Sequence, residues 1–463
     1  MATYMLPEEK KLLNRIAHDL EKRLRMPMDE VKRRLNFLLL HNKDASIEDF
    51  LKDYDQLFVQ DFQTFLDKNL APSMQFGIQN EYFSFVHQIQ KEGYAYSLDT
   101  MYSFDSISKL ALACVVMLEK RKGNLDLNNT VHEINSDFAC DASIKSILDF
   151  SAMLQTEKRI DNLSKDETIQ ILKECKENLL EKKKRKNYYQ YNDIGYMILR
   201  LAIPHFIEHL DALLTKIDKE NLTIYNEKNK ERITGGKQGE EYVTPDRKGR
   251  GILFPGHTGL YGNIQGLLSF VYQLFCTENI LSFEERQMML QQPYMDPIVY
   301  NKDGYQQIGK NGSLQYMCKV SGVYRKPLGV YDDTFSKMAA CDMSSCTTDF
   351  GIATTGTCGS WGVTDILTTK NKFGPYAGGI LTNPYAYVKK DFYPNDSNVV
   401  PNTNLIVNKN GVINGYSGKL NPYKDMISNY GLLLVLLTEY FKQTDFEALQ
   451  DASLKRKKEK LPH

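Results

Sequence analysis

Apolar residues recur at helical spacing in the first part of the chain. Between residues 8 and 24 they fall three or four positions apart, with charges between them: Leu12, Leu13, Ile16, Leu20 and Leu24. This amphipathic stripe predicts a helix that packs by one face. Ser46 followed by Asp49 predicts a capped start for a further helix. We therefore interpret residues 1–70 as a helical extension and as a candidate surface for a protein partner.

The pattern changes after Pro72. Residues 76–103 are rich in Phe, Tyr and Val and predict a strand hairpin with its turn at Glu92-Gly93. Residues 107–121 predict a buried helix, because apolar side chains occupy most of its circumference: Ile107, Leu110, Ala111, Cys114, Val115 and Leu118. A strand region thus leads directly into a core helix.

Helical patterns dominate the middle of the chain, and strand-like patterns follow between residues 300 and 400. Residues 140–220 and 264–276 have helical spacing, whereas 234–250 are rich in Gly and charge and predict a long surface loop. Short strand-like runs fill 300–400, and an apolar helix follows at 430–441. Because strands lie at both ends of a helical region, this order predicts one sheet assembled from distant segments, flanked by helices, with a second helical lobe.

Composition narrows the class of protein. Lys+Arg and Asp+Glu are both 58, so the balanced charge argues against a nucleic-acid-binding protein. No run approaches the ~18 consecutive apolar residues that a membrane-spanning helix needs, and the N-terminus lacks the apolar core of a secretory signal. The eight cysteines are scattered without a CxxC pair, and no His pattern suits zinc. We therefore expect a cytoplasmic protein with free thiols, no metal and no cofactor.

The candidate chemistry begins at the segment that leads into the buried helix. Ser106 and Lys109 are three residues apart, so on a helix they share a face and the lysine can reach the serine. A serine needs a base to become a nucleophile, and a lysine in an apolar pocket can lose its proton near neutral pH. A helix N-terminus also offers free N–H groups to an oxyanion. The structural alternative is that Ser106 caps the helix and Lys109 is solvated.

Three further segments are candidates for the same site. Tyr191-Asn192-Asp193 opens a helical pattern, and a tyrosine near cations is a second candidate base. The alternative is that Tyr191 and Asp193 only begin a helix. Two triplets, His257-Thr258-Gly259 and Thr354-Thr355-Gly356, compete for a third motif, the first before a helix and the second among strand-like runs.

Together these segments resemble the class C β-lactamase-like and penicillin-binding-protein-like serine hydrolases, which carry S-x-x-K, Y-x-N or Y-x-D, and K/H-T/S-G motifs. The turn Lys120-Arg121-Lys122-Gly123 before Leu125-Asp126-Leu127 also resembles that family. The resemblance covers roughly residues 75–445. It implies an α+β fold, with an antiparallel sheet flanked by helices and an all-helical lobe at about 110–285 inserted between sheet-forming segments. Residues 446–463 are then a charged tail.

The resemblance also implies roles. Ser106 is the nucleophile, Lys109 and Tyr191 move its proton, and the backbone amides of Ser106 and Thr357 form the oxyanion hole. The predicted substrate-binding residues are Asp193, His257, Thr354, Thr355 and Gly356. We expect 354–358 to form an edge strand along the cleft and 257–259 to belong to the family's G-H-x-G-L loop.

Two departures from the family pattern affect the predicted substrate. Thr354 stands where Lys or His is usual, and Asp193 stands where Asn is commoner in β-lactamases. Both disfavour β-lactams and favour an esterase or acyltransferase that acts on a small-molecule ester, thioester or amide. The alternative is a catalytically decayed relative that serves as a binding module. The 1–70 extension and an insert at 285–345 have no counterpart in the family.

Overall fold

The computed structural model describes residues 46–67, 73–92, 96–104, 107–156, 163–179, 193–224, 255–289 and 445–459, together with residue 160 and shorter helical and strand segments between 237 and 442. Residues 1–45, with the first predicted helices, lie outside this set, as does most of 234–250.

The secondary structure alternates as the sequence predicts, from strands to helices and back to strands. The helices are α1 (Ile47–Asp67), α2 (Ser108–Arg121), α3 (Val131–Ile134), α4 (Ile144–Leu148), α5 (Lys165–Glu174), α6 (Ile194–Ala202), α7 (Phe206–Asp218), α8 (Ile264–Val271, continued by the π-helical turn Tyr272–Cys276), α9 (Phe283–Met289) and α10 (Phe446–Glu459). The strands are β1 (Ser73–Asn80), β2 (Ser84–Gln90), β3 (Tyr102–Ser103), β4 (Leu222–Ile224), β5 (Lys237–Gln238), β6 (Glu241–Tyr242), β7 (Leu260–Gly262), β8 (Val299–Tyr300), β9 (Gln306–Gln307), β10 (Tyr324–Pro327), β11 (Phe350–Gly356), β12 (Thr364–Asn371), β13 (Gly374–Thr382), β14 (Leu405–Val407) and β15 (Ile413–Tyr416).

A six-stranded antiparallel sheet has the order β10-β11-β12-β13-β1-β2. Its centre joins distant parts of the chain, because β1 pairs with β13 from Met74 opposite Thr382 to Asn80 opposite Tyr376. This confirms the prediction of one sheet assembled from distant segments. A smaller sheet, β3-β7-β4, lies beside the helices.

The predicted hairpin is present, but its turn is elsewhere. β1 and β2 are joined at residues 81–83, where the Asn80 side-chain oxygen accepts hydrogen bonds from the backbone N–H groups of Tyr82 (2.9 Å) and Phe83 (2.8 Å). Glu92 lies in a turn after the end of β2, but the next strand, β3, pairs with β7, so the hairpin predicted around Glu92-Gly93 was wrong. An asparagine that bonds to the backbone ahead of it closes the turn without glycine.

Helix α1 packs on the sheet. Its capped start is confirmed, because the Ser46 hydroxyl accepts from Asp49 N–H (3.3 Å) and the Asp49 carboxylate accepts from Ser46 N–H (3.1 Å). The rings of Phe62 and Phe76 stack at 4.1 Å between centroids, and the Tyr54 hydroxyl donates to the Tyr430 carbonyl at 2.9 Å. The described part of the predicted extension is therefore part of the core, and the boundary at residue 70 stays a prediction.

The end of the chain contains more packed structure than the sequence suggested. Tyr430, Leu434 and Phe441 are helical and buried, as the apolar pattern predicts. The predicted charged tail is largely the helix α10. Its Leu449 is buried, and the Ser453 hydroxyl donates to the Tyr82 carbonyl at 2.9 Å. None of the helices described is long and apolar enough to cross a membrane.

Helix α2 is the centre of the helical lobe. Every side chain from Ser108 to Met117 is buried, which fits a helix that is apolar on nearly all sides. The described cysteines are free thiols, as predicted: Cys114, Cys140, Cys175 and Cys276. Burial raises the pKa of the Cys140 thiol to about 12 and that of Cys175 to about 11, which disfavours their thiolates.

Candidate active site

The start of α2 is held by the backbone of β7. Phe104 N–H donates to the Leu260 carbonyl (2.9 Å), and Leu260 N–H donates to the Ser108 hydroxyl (3.0 Å). Ser106 lies between these two anchors and is itself outside the described residues. Leu260 therefore holds the chain on both sides of the predicted nucleophile.

Lys109 is completely buried, with an exposed fraction of 0%. Its Nζ lies 2.7 Å from Oδ1 of Asp193 and donates to the His257 carbonyl at 3.0 Å. The same nitrogen lies 5.8 Å from the centre of the Tyr196 ring. Three of the four predicted motif segments therefore meet at this lysine, and the alternative of a solvated Lys109 is wrong.

Asp193 stands at the N-cap position of α6, but its side chain makes no capping hydrogen bond. Its carboxylate instead pairs with Lys109, and 37% of the side chain is exposed. The alternative in which Asp193 only begins a helix therefore fails to explain its side chain. The sequence analysis predicted substrate binding for Asp193, which stays a prediction, and the structure adds an ion pair with Lys109. An aspartate in the motif that faces the S-x-x-K lysine was the available signal.

The triplet His257-Thr258-Gly259 lies in a loop, as predicted. Gly256 and Gly259 have φ values of +136° and +91°, which a residue with a side chain rarely adopts. Gly256 N–H donates to the Thr258 carbonyl at 2.9 Å, and His257 and Thr258 are buried. This tight turn directs the His257 carbonyl at Lys109, a backbone contact that the sequence could not reveal. The short strand β7 separates the loop from α8, where the sequence analysis placed a helix alone.

The triplet 354–356 lies at the end of β11. It pairs with β12, from Thr354 opposite Ile366 to Gly356 opposite Thr364. β11 also pairs with β10, but only through residues 350–353, so residues 354–356 pair with β12 alone among the described residues. The triplet itself extends past the last residue that pairs with β10. Thr357 lies outside the described residues, and so does Tyr191.

The convergence of the Ser106, Lys109 and Tyr191 side chains, and of the Ser106 and Thr357 amides, therefore stays a prediction. Of these groups, the structure describes only the Lys109 side chain, which contacts the Asp193 carboxylate and the His257 carbonyl. Within the described part of the chain, His, Cys, Asp and Glu side chains form no group of three or more that could hold a metal ion.

Comparison with known proteins places the fold. No protein-family model and no curated protein matches the sequence. A β-lactamase from Sulfitobacter sp. EE-36 matches in structure with a TM-score of 0.52 at 12% identity, over 83% of this chain and 98% of its own. A β-lactamase/D-alanine carboxypeptidase from Pseudomonas syringae matches with a TM-score of 0.51 at 14% identity, over 74% of this chain and 95% of its own.

The protein is thus an α+β protein in which helices flank an antiparallel sheet. Its fold is that of the β-lactamases and transpeptidases, as the sequence motifs predicted.

Proposed function

We propose that the protein is a serine hydrolase that forms an acyl-enzyme on Ser106, and that it acts as an esterase or acyltransferase. The observation that carries this proposal is the ion pair between the buried Lys109 and Asp193. Lys109 comes three residues after Ser106, near the start of a core helix. The names of the two similar structures, a β-lactamase and a β-lactamase/D-alanine carboxypeptidase, support a hydrolase.

A buried lysine is costly for the folded state. An ammonium ion that leaves water loses several kcal/mol of hydration, of the order of 5, unless it is paired and hydrogen-bonded. Leu or Met at position 109 would pack in this apolar helix without that cost. Charged groups retained in such a setting cluster at functional sites. The Asp193 side chain is 37% exposed although Lys109 is buried, which supports a site that a substrate can reach from the Asp193 side.

In the proposed reaction the Ser106 oxygen attacks the carbonyl carbon of an ester, thioester or amide. Tyr191 and Lys109 provide the route for the serine proton, which passes to the leaving group when its bond to carbon breaks. The Ser106 and Thr357 amides stabilise the carbonyl oxygen while it carries negative charge. Water or another acceptor then attacks the acyl-enzyme, and Ser106 regains its proton.

The substrate preference follows from Thr354. A cation at this position of the motif would bind a substrate carboxylate through a charge-assisted hydrogen bond worth roughly 1.5–3 kcal/mol. Threonine offers a neutral hydroxyl instead. An uncompensated Asp193 would also repel an anionic substrate, but Lys109 lies 2.7 Å from its carboxylate and compensates its charge. The preference for neutral substrates therefore depends on Thr354 alone.

The test is labelling with a fluorophosphonate probe, with Ser106→Ala as control. We expect the wild type to be labelled and the variant not. A side-by-side assay with p-nitrophenyl acetate and nitrocefin should show Ser106-dependent turnover of the ester and poor turnover of nitrocefin. A folded protein that the probe does not label would contradict the proposal and favour the alternative suggested by Thr354, a decayed relative that binds without catalysis. Fast nitrocefin hydrolysis without ester hydrolysis would overturn the substrate preference.

A further inference from the structure

We infer that Gln75, in strand β1, is a positioning residue for the proposed reaction. Its side chain joins two segments that hold the chain beside Ser106: the approach segment, residues 97–104, and the β7 segment, residues 257–264. The inference rests on the proposed function, since it assigns Gln75 a role in placing the nucleophile. Gln75 belongs to none of the sequence motifs that predicted the site.

Gln75 is completely buried and uses both ends of its amide. Its Nε2 donates to three carbonyls of one turn, those of Ser97 at 2.9 Å, Leu98 at 3.3 Å and Thr100 at 3.0 Å. Its Oε1 accepts from the Ile264 N–H at 2.8 Å. One side chain therefore connects two segments that are far apart in the sequence.

Gln75 extends the short ladder between β3 and β7. The two strands are joined through only two residue pairs, the outer of which is Tyr102 opposite Gly262. Two residues farther out, the same register would place Thr100 opposite Ile264. The Gln75 amide bridges these two residues, because it donates to the carbonyl of the first and accepts from the N–H of the second. A side chain thus takes the place of a backbone pair.

The opposite end of this ladder lies beside the candidate site. There Leu260 holds the chain on both sides of Ser106, and the preceding loop presents the His257 carbonyl to Lys109 at 3.0 Å. The ladder is fixed at one end by Leu260 and at the other by Gln75. A register shift of β3 along β7 would move Ser106 with respect to Lys109, and the Gln75 bridge opposes that shift.

The residue type at position 75 fits a bridge better than it fits packing. A buried amide costs free energy unless its hydrogen bonds are made, whereas Met would fill a similar space without that requirement. Gln79 offers a comparison, since residues four apart on a strand lie on the same face. Its Oε1 is buried and has no hydrogen-bond partner in the part of the chain that the structure describes. The two amides therefore differ in what they connect.

The test compares Gln75→Met with Gln79→Met, a matched control on the same face of β1. For Ser106-dependent fluorophosphonate labelling we would measure the maximal rate, the probe concentration that gives half of it, and the urea unfolding midpoint. Gln75→Met should lower the maximal rate by about tenfold or more, because a small displacement of a nucleophile is costly. The half-saturating concentration should change by less than about twofold, since the groups that bind the probe remain. Gln79→Met should label within about twofold of the wild type.

A second pair of variants removes one hydrogen bond without changing Gln75. Ile264→Pro lacks the N–H, and a helix tolerates proline at its first position, which residue 264 occupies in α8. Ile264→Ala loses a similar part of the side chain and keeps the N–H. We expect Ile264→Pro to label at least about threefold more slowly than Ile264→Ala. This comparison decides the matter if Gln75→Met does not fold.

Three results would overturn the inference. A folded Gln75→Met with a lower unfolding midpoint but the labelling rate of the wild type would show that Gln75 has only a structural role. Equal losses in Gln75→Met and Gln79→Met would remove the significance of the bridge, and so would equal labelling of the two Ile264 variants. A wild type without Ser106-dependent labelling would instead overturn the proposed function, and with it the role of Gln75 in that reaction.

Discussion

Both ends of α2 bury a charged side chain, but in different settings. At the start, Lys109 is paired with residues from α6 and from the loop before β7. At the end, Glu119 is 3% exposed and accepts hydrogen bonds from Lys122 and Asn124, each at 2.6 Å, with His209 of α7 at 3.2 Å. Two of the Glu119 partners are close neighbours along the chain.

The difference shows that burial of a charge does not by itself mark a functional site. Burial raises the pKa of Glu119, but the hydrogen bonds from Lys122 and Asn124 and the nearby His209 outweigh it, so the net pKa is lowered. These contacts attach the residues that follow α2 to its last turn. The Lys109 partners come from distant segments, and they do nothing to close the helix. The origin of the partners distinguishes the two ends.

The largest expected effect is on catalysis, where a change at Lys109 and a change at Glu119 should have very different results. Lys109→Met should slow fluorophosphonate labelling of Ser106 by roughly 10²–10⁴-fold, because it removes the amine that takes part in the proposed proton transfer. Glu119→Gln, the matched control, should label within about twofold of the wild type, since Glu119 lies at the opposite end of α2 from Lys109. Comparable losses in the two variants would remove the distinction.

The next effect is on stability and concerns Glu119. Glu119→Leu should destabilise the protein by about 1–3 kcal/mol, because the polar groups of its partners lose a buried acceptor. Urea unfolding measures this loss. Glu119→Gln keeps one side-chain acceptor and should lose less. If Glu119→Leu were as stable as the wild type, the cluster would make no net contribution to folding.

The smallest effect concerns Glu285, which accepts hydrogen bonds from Arg121 at the same end of α2. The bond from Arg121 outweighs burial and holds the pKa of Glu285 below its ordinary value. A carboxyl with a depressed folded-state pKa stabilises the protein above its unfolded pKa of about 4.3, and this stability is lost as the pH falls through the folded pKa. The pair is partly exposed, so we expect no more than about 0.5–1 kcal/mol, and less in high salt.

The measurement is the unfolding free energy at about pH 7 and pH 3 for the wild type and Glu285→Gln. The variant should lose less stability on acidification than the wild type. An equal loss would show that the pair does not contribute to acid stability.

The sequence predicted the sheet, the core helix and the motif lysine for reasons that lie in the residues. The apolar circumference of 107–121 could only be buried, and the spacing of Ser106 and Lys109 follows from helix geometry. Asp193 was identified as a site residue, and its pairing with Lys109 is supplied by the fold, because a sequence does not show which cation a carboxylate will face. The His257 carbonyl was beyond prediction, since every residue carries one and only the fold selects it.

The strand errors have a related cause. The hairpin turn was assigned to Gly93, whereas Asn80 closes it through its own side chain. The pairing of β10 with β11 joins residues that share no sequence signal, so the sequence did not show that β11 is flanked on both sides up to residue 353. The charged surface of α10 concealed the few buried positions that attach it, such as Leu449.

The loop that carries His257 and the strand that carries Leu260 hold their neighbours through main-chain atoms. The His257 carbonyl receives Lys109, and the Leu260 N–H and carbonyl bind the chain on either side of Ser106. Both residues belong to one short stretch of backbone, so a displacement of that stretch would carry Lys109 and the residues that flank Ser106 together. Contacts made by main-chain atoms also persist when the side chain of the same residue is substituted. A framework of this kind can keep its geometry while its sequence diverges to the 12–14% identity that separates this chain from the two structures it resembles.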